Sequence, residues 1–361
     1  MNFSLISIFM FILSITLIFK IQSKRQFFQD GFIFIILPAL VFLLGSLTIW
    51  SRADIVPEEI LRVATLLFFV FIIDKIPANR FTCILLARIL SIAVILFCFY
   101  QIATQEYVLI DGNPRLKGFL VHPNPFGLFL VMLAAFTARF SLITRNPVDW
   151  LLSTTLFAQY LFVMNGGAFV FIVSLLALWF LKKYKVKGFL AIAVIVPVTI
   201  LLLYYLPLTF KHRIDELILE GIIPKNTYPE NSLQWRFFMW GYLIIFWLKS
   251  PVLGFGPGSI QILHGNTGVF TALDPHNILL HLLFEYGLLG IVVGVLVLRR
   301  LLSKAGDPFS RQLLFSFLSA ALFDNFYRAS ILVVFLLILM RQTDYLGELR
   351  EKNVSLLPAL N

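Results

Sequence analysis

Long apolar runs recur along almost the whole chain, at about residues 3–19, 31–50, 60–73, 82–103, 119–140, 148–164, 167–181, 189–208, 276–298, 311–323 and 329–340. A helix needs about 20 mostly apolar residues to cross a bilayer, and shorter runs are tolerated inside a bundle. The pattern predicts an all-α polytopic integral membrane helical bundle of about eleven spans, a single membrane domain over residues 1–361. The 148–181 stretch divides at Asn165-Gly166-Gly167, because a glycine pair beside asparagine favours a turn. Composition agrees: 60% of residues are hydrophobic and 13% charged, with mean hydropathy +0.91. Soluble proteins average roughly 45–50% apolar and about 25% charged residues. These values exclude a soluble enzyme, a disordered chain and a nucleic-acid-binding domain. Cys83 and Cys98 lie inside apolar runs and point to neither a disulfide nor a metal site. Met1–Phe19 lacks a basic n-region and a small-residue cleavage site, so it is expected to stay as the first span.

Charge sets the expected orientation. The chain carries 29 Lys and Arg against 19 Asp and Glu, a net charge of +10. With the N-terminus outside, most of the basic residues fall in cytoplasmic loops, among them Lys24, Arg25, Lys182, Lys183, Arg299 and Arg300. That is the bias the positive-inside rule requires. Arg88, near the cytoplasmic end of its span, is expected to snorkel. Residues 209–275 form the long extracytoplasmic loop. Its apolar stretch Phe237–Leu248, bounded by Arg236 and Lys249, is too short to span and predicts an interfacial or re-entrant helix at 236–248.

In so apolar a chain the polar residues carry the information. His122, His212, His264 and His276 fall at or beyond the outer boundary on this topology, with His281 just inside it. Three segments gather there. Asn113-Pro114-Arg115-Leu116-Lys117-Gly118 runs into His122-Pro123-Asn124-Pro125, whose prolines predict an ordered loop with no regular helix before residue 125. Trp235-Arg236 and Trp240 precede Pro251-Val252-Leu253-Gly254-Phe255-Gly256-Pro257-Gly258, whose glycines let the backbone approach a ligand or another helix closely. Asp274-Pro275-His276-Asn277 opens the next span, and Glu285 follows about 13 Å along it at 1.5 Å per residue. An acid at that depth is costly and usually paired, and His281 on the same face is its expected partner.

In this order the segments resemble the O-antigen ligase and polymerase superfamily of bacterial membrane glycosyltransferases. The matching residues are Arg115-x-x-Gly118 with Pro123-Asn124, then Arg236-x-x-x-Trp240 with Pro251-Val252-Leu253-Gly254-x-Gly256-x-Gly258. His276-Asn277, Glu285-x-Gly287-Leu288-Leu289-Gly290 and Asp324-Asn325 complete them. The resemblance covers about residues 110–340 and departs at Asn165-Gly166-Gly167, where many members carry Ser-Arg-Gly. Twelve spans are common in that family.

The resemblance implies transfer of a glycan from undecaprenyl diphosphate to an acceptor glycan or lipid A–core, on the periplasmic side of the bacterial inner membrane. It assigns His276 as general base and Arg236 as the principal cation on the leaving diphosphate. Histidine as a residue type suits proton transfer near neutrality. Arginine holds phosphate bidentately and stays charged. Arg115, Lys117, Asn124, Asn277 and Glu285 are the expected diphosphate and glycan contacts, with Asp274 or Glu285 as candidates to orient His276. Arg213 and Arg328 are candidates for the missing arginine by side of the membrane. The sequence shows no acidic DxD cluster, so neither metal nor cofactor is expected, and nucleic acid is not an expected partner. Polymerase and ligase activity differ in the acceptor, which these residues leave open. A transporter or flippase of lipid-linked sugars is the alternative, and it predicts paired repeats with polar breaks near the midplane. A non-enzymatic membrane scaffold leaves the clustered His and Arg unexplained.

Overall fold

The computed structural model describes residues 78–110, 113–116, 118–120, 123–163, 165–184, 232–260, 275–324 and 330–351, together with 40, 41 and 44. The expected spans at 3–19, 60–73 and 189–208, nearly all of 31–50, and most of the 209–275 loop lie outside these residues. The described chain is mostly helical. Its helices are α1 (Arg80–Ala103), α2 (Pro123–Thr144), α3 (Pro147–Tyr160), α4 (Gly166–Tyr184), α5 (Ser232–Trp247), α6 (Ile278–Lys304), α7 (Pro308–Ala321) and α8 (Ser330–Glu351). Among the described residues, α1, α2, α4 and α6 are long and apolar enough to cross a membrane.

The chain divides into two compact units. One comprises 77–219, 305–323 and 338–361, and therefore holds α1–α4, α7 and the end of α8. Helix α1 shows why this unit suits lipid. It exposes Phe81, Leu85, Ile89, Ile92, Leu96 and Phe99 at helical spacing, and buries Cys83, Ala87, Ser91, Val94, Cys98 and Gln101 on the opposite face. Large apolar side chains outward, with small and polar ones inward, is the pattern of a bilayer helix, whose partners approach over small residues. Polar contacts then join neighbours: Ser91 Oγ lies 3.2 Å from Thr137 Oγ1, and Ser153 Oγ donates to the Ala134 carbonyl at 2.9 Å. Gln159 Nε2 donates to the Ile95 carbonyl at 3.1 Å.

Helix starts follow ordinary capping chemistry. Asn146 accepts from Val148 N ahead of α3, and Asp307 accepts from Phe309 N ahead of α7, each with proline at the first helical position. The turn expected at Asn165 is present, and its side chain caps α4 through Ala168 N at 2.7 Å. Helix α2, however, begins at Pro123, two residues earlier than expected. Both prolines sit in the first turn, where their missing N–H groups have no intrahelical partner to lose.

Two further findings correct the sequence reading. The fold is not purely helical: β1 (Tyr107–Ile110) pairs antiparallel with β2 (Asn113–Leu116), Val108 opposite Arg115. And Arg88 does not snorkel. It lies in a π-helical stretch, Leu85–Leu90, and grips Asp149 through Nε at 2.8 Å and Nη2 at 3.1 Å. Thr144 Oγ1 donates to the same carboxylate at 2.8 Å. A buried counter-charge inside the bundle outweighs the route to solvent.

The other unit comprises 1–76, 220–304 and 324–337, and so contains α5, α6 and the start of α8. Helix α5 packs on α6 around Met239, Leu243, Phe255, Ile260 and Phe284. The stretch expected to be helical at 236–248 is thus part of a longer helix that begins at Ser232.

Candidate active site

His276 sits just ahead of α6 with a left-handed backbone, φ +50°. That conformation is uncommon for a residue with a Cβ, costs of order 1–3 kcal/mol, and persists where its surroundings over-determine it. Here they do. Trp240 Nε1 on α5 donates to the Pro275 carbonyl at 2.7 Å. On the other side, Asn277 starts α6: its Oδ1 accepts from Leu280 N at 3.1 Å and its carbonyl from His281 N at 3.0 Å. The imidazole meets the Trp235 ring edge-on, with centroids 6.0 Å apart. Its Nδ1 lies 2.9 Å from Asp324 Oδ1, the two side chains being 26% and 9% exposed. Arg236 lies beside Trp235 and one helical turn before Trp240, so α5 brings it to the same end of α6. The structure therefore places His276 and Asn277 at the start of α6, adds Asp324 as the partner of His276, and puts Arg236 on the helix whose Trp235 and Trp240 meet that segment. Asp274 lies outside the described residues.

Glu285 is elsewhere. Its side chain and that of His281 are both fully buried, with His281 Nε2 3.1 Å from Glu285 Oε2, as the i,i+4 spacing led one to expect. The other oxygen, Oε1, accepts from Gly258 N at 3.0 Å. The carboxylate thus faces protein, at the base of a break in α6. Gly287 leaves the helical region with φ 61° and ψ −159°. In an unbroken helix, Leu288 N and Leu289 N would bond the carbonyls of Phe284 and Glu285. Instead they donate to Pro251 O at 2.9 Å and Val252 O at 3.3 Å. The two orphaned carbonyls accept from Phe255 N and Gly256 N, both at 2.9 Å. The glycine-rich segment is spliced into the helical ladder, bond for bond, which is how a broken helix survives where water is scarce.

This explains the glycines. A Cβ on Gly287 would stand 2.2 Å from Val252 O, and one on Gly254 would stand 2.6 Å from the Glu285 carbonyl carbon. Of the two uses that sequence left open for this segment, close approach to a helix is the one realised. The amides of Gly256, Gly258 and Ser259 are all committed to protein acceptors, Ser259 N to Gly256 O.

The remaining expected residues fall in the other unit. Arg115 on β2 is buried, 4% exposed, and within electrostatic reach of the Tyr160 hydroxyl. That hydroxyl donates to the Asn165 carbonyl at 3.0 Å, and Asn165 Nδ2 to the Asn124 carbonyl. Arg115, Asn124 and Asn165 thus share one neighbourhood. Gly118, the glycine of Arg115-x-x-Gly118, has φ +66°, and a Cβ there would meet the Phe126 ring at 2.1 Å. Lys117, Arg213 and Arg328 lie outside the described residues, as do His122, His212 and His264. Among the described residues, no group of three His, Cys, Asp or Glu is placed to hold a metal ion.

No curated protein matches the chain. Residues 148–295 match the family model described as O-antigen ligase, a stretch that includes Asn165, Arg236, the spliced glycines, His276 and Glu285. The match supports an O-antigen ligase or polymerase type of role in surface polysaccharide assembly at a membrane. Over these residues the chain is similar to the O-antigen ligase family.

Proposed function

We propose that the protein is a membrane glycosyltransferase that moves a glycan from undecaprenyl diphosphate to an acceptor sugar, outside the cytoplasmic membrane. The observation that supports it best is the His276–Asp324 contact, formed at the end of α6 to which α5 brings Arg236. With Nδ1 donating to Asp324, Nε2 is the nitrogen that takes a proton. The acceptor hydroxyl oxygen attacks the anomeric carbon, its proton passes to His276 Nε2, and the bond from that carbon to the diphosphate oxygen breaks. Undecaprenyl diphosphate leaves with the bonding electrons. Arg236 stabilises the charge that develops on it, an effect strongest in a partly dehydrated site. From the sequence alone, Arg115, Lys117, Asn124, Arg213 and Arg328 are the further donor and glycan contacts, and arginine rather than a metal ion handles the diphosphate.

Surface glycan from a deletion strain complemented with wild type or with His276→Ala tests this reading. A base of this kind contributes about 10²–10⁴-fold to rate. The variant is therefore expected to accumulate in the membrane yet restore no glycan; normal glycan removes His276 as the base. The deletion strain also divides the activities. Chains no longer than one repeat indicate a polymerase, and long lipid-linked chains that never reach the core indicate a ligase. The break in α6 at Gly287 is the observation that favours a flippase, since transporters use discontinuous helices. That reading expects lipid-linked repeats stranded on the cytoplasmic face.

A further inference from the structure

We infer that Trp240 is a positioning residue for His276, its indole N–H clamping the peptide unit that aims the imidazole at Asp324. The inference rests on the reading of His276 as the base. The torsion φ of His276 is the rotation between the plane of the Pro275–His276 peptide and the His276 Cα substituents. Trp240 Nε1 holds one side of that rotation, through the Pro275 carbonyl at 2.7 Å. The first turn of α6 holds the other, through the two hydrogen bonds of Asn277. With both sides fixed, the residue keeps φ +50° against its own steric preference. Its side chain then leaves the helix path and meets both the Trp235 ring and the Asp324 carboxylate. Without the Trp240 bond one side of that rotation is released, and relaxation towards an ordinary α or β backbone carries the imidazole off Asp324.

The same helix then performs two tasks in one turn. Arg236 is proposed for the diphosphate, while Trp240, four residues later on the same face, fixes the distance and direction of the base. This gives the Arg236-x-x-x-Trp240 spacing a mechanical meaning: it ties the cation and the base to one rigid element.

Two variants separate the bond from the bulk. Trp240→Phe removes the donor and part of the ring. Benzothienylalanine introduced at position 240 keeps the bicyclic shape and removes only the N–H. Each is assayed in detergent, per folded molecule, with the lipid-linked glycan extracted from the deletion strain as donor. Both are expected to lower kcat about 10- to 100-fold, the scale of an ångström-sized misplacement, with KM for the donor within about twofold of wild type. Because Trp240 and Asp324 act through the same ring, adding Asp324→Asn to either variant is expected to cost little more than the worse single change.

Unchanged kcat in both variants overturns the inference. So does a loss confined to KM, or a fully multiplicative loss on combination with Asp324→Asn. A fall in folded protein with kcat per molecule unchanged overturns it as well, by making Trp240 structural alone. Activity in His276→Ala defeats the base reading instead. An inactive His276→Ala beside fully active Trp240 variants defeats the positioning alone.

Discussion

Two histidine–carboxylate contacts lie at successive turns around the start of α6, built from the same chemistry and put to different uses. His281 and Glu285 are helical, wholly buried, and closed by a third partner, the Gly258 amide. His276 and Asp324 join a left-handed residue to a distant stretch of chain, and the imidazole keeps a quarter of its surface open. Burial with regular backbone makes the first pair part of the scaffold. Partial exposure with strained backbone sets the second apart, as the proposed function requires. What separates the buried pair from the one proposed as reactive is its setting, since the residue types are nearly the same.

The sharpest way to break this comparison is to strike the scaffold beneath the buried pair. Gly287→Ala places a methyl group 2.2 Å from Val252 O on a backbone with φ 61°, against which neither strand of the splice can retreat without losing its hydrogen bonds. The variant is expected to yield almost no monodisperse protein by fluorescence-detected size exclusion, while His276→Ala elutes as wild type. A well-behaved Gly287→Ala protein would mean that the helix can close its own ladder and the splice is dispensable.

Glu285 gives the next largest effect. Glu285→Ala leaves the Gly258 amide and His281 without their buried partner, and breaking a buried pair costs about 3–5 kcal/mol. Glu285→Gln keeps an acceptor for Gly258 N and much of the volume, so the expected cost drops to about 1–3 kcal/mol, the range for a buried group left imperfectly paired. Melting temperatures in detergent check both values. Should Glu285→Ala melt as wild type yet lose activity, the carboxylate belongs with the reactive pair, as the family resemblance first suggested.

The sequence made some of this legible. Apolar runs located α1, α2, α4 and α6 to within a few residues, because hydropathy over some 20 residues is a sum that local detail barely disturbs. Asn165-Gly166-Gly167 marked its turn, and the i,i+4 spacing paired His281 with Glu285. Other features needed contacts that spacing does not encode. Asp324 was visible as part of a motif, but its partnership with a residue 48 positions earlier depends on how the chain returns to α6. The glycines at 254–258 and at 287 read as two motifs and form one device, since each supplies the acceptors that the other lacks. The hairpin has a local signal of its own. Asp111-Gly112 between Tyr107-Val108-Leu109-Ile110 and Asn113 is a two-residue turn sequence of the kind hairpins favour. The partner of Arg88 is not legible in sequence, because a lone arginine in an apolar run says nothing of Asp149, on a different helix, that answers it.

A third carboxylate refines the comparison by holding burial nearly constant. Asp344 is buried to nearly the same degree as Asp324, yet its neighbours are a hydroxyl and backbone amides instead of an imidazole. Ser310 Oγ and Asp307 N both donate to its Oδ1 at 2.7 Å. It lies on α8 beyond the apolar stretch 329–340. Desolvation raises its pKa above the ordinary 3.8; hydrogen bonds from Ser310, Asp307 and Gly306 oppose that, and the Asp307 charge adds to it. An acid whose pKa is higher folded than unfolded binds more protons in the folded state between the two values. Stability then falls as pH climbs from about 3.8 through the folded pKa and levels off above it. Asp344→Asn keeps an acceptor for Ser310 and Asp307 and has no proton to release. The variant is expected to melt no lower than wild type at neutral pH, with the gap closing as pH approaches 4. Melting curves across that range check it, and a gap that widens in acid instead would show that the Asp344 charge is stabilised by its surroundings, as a carboxylate with a cationic partner would be.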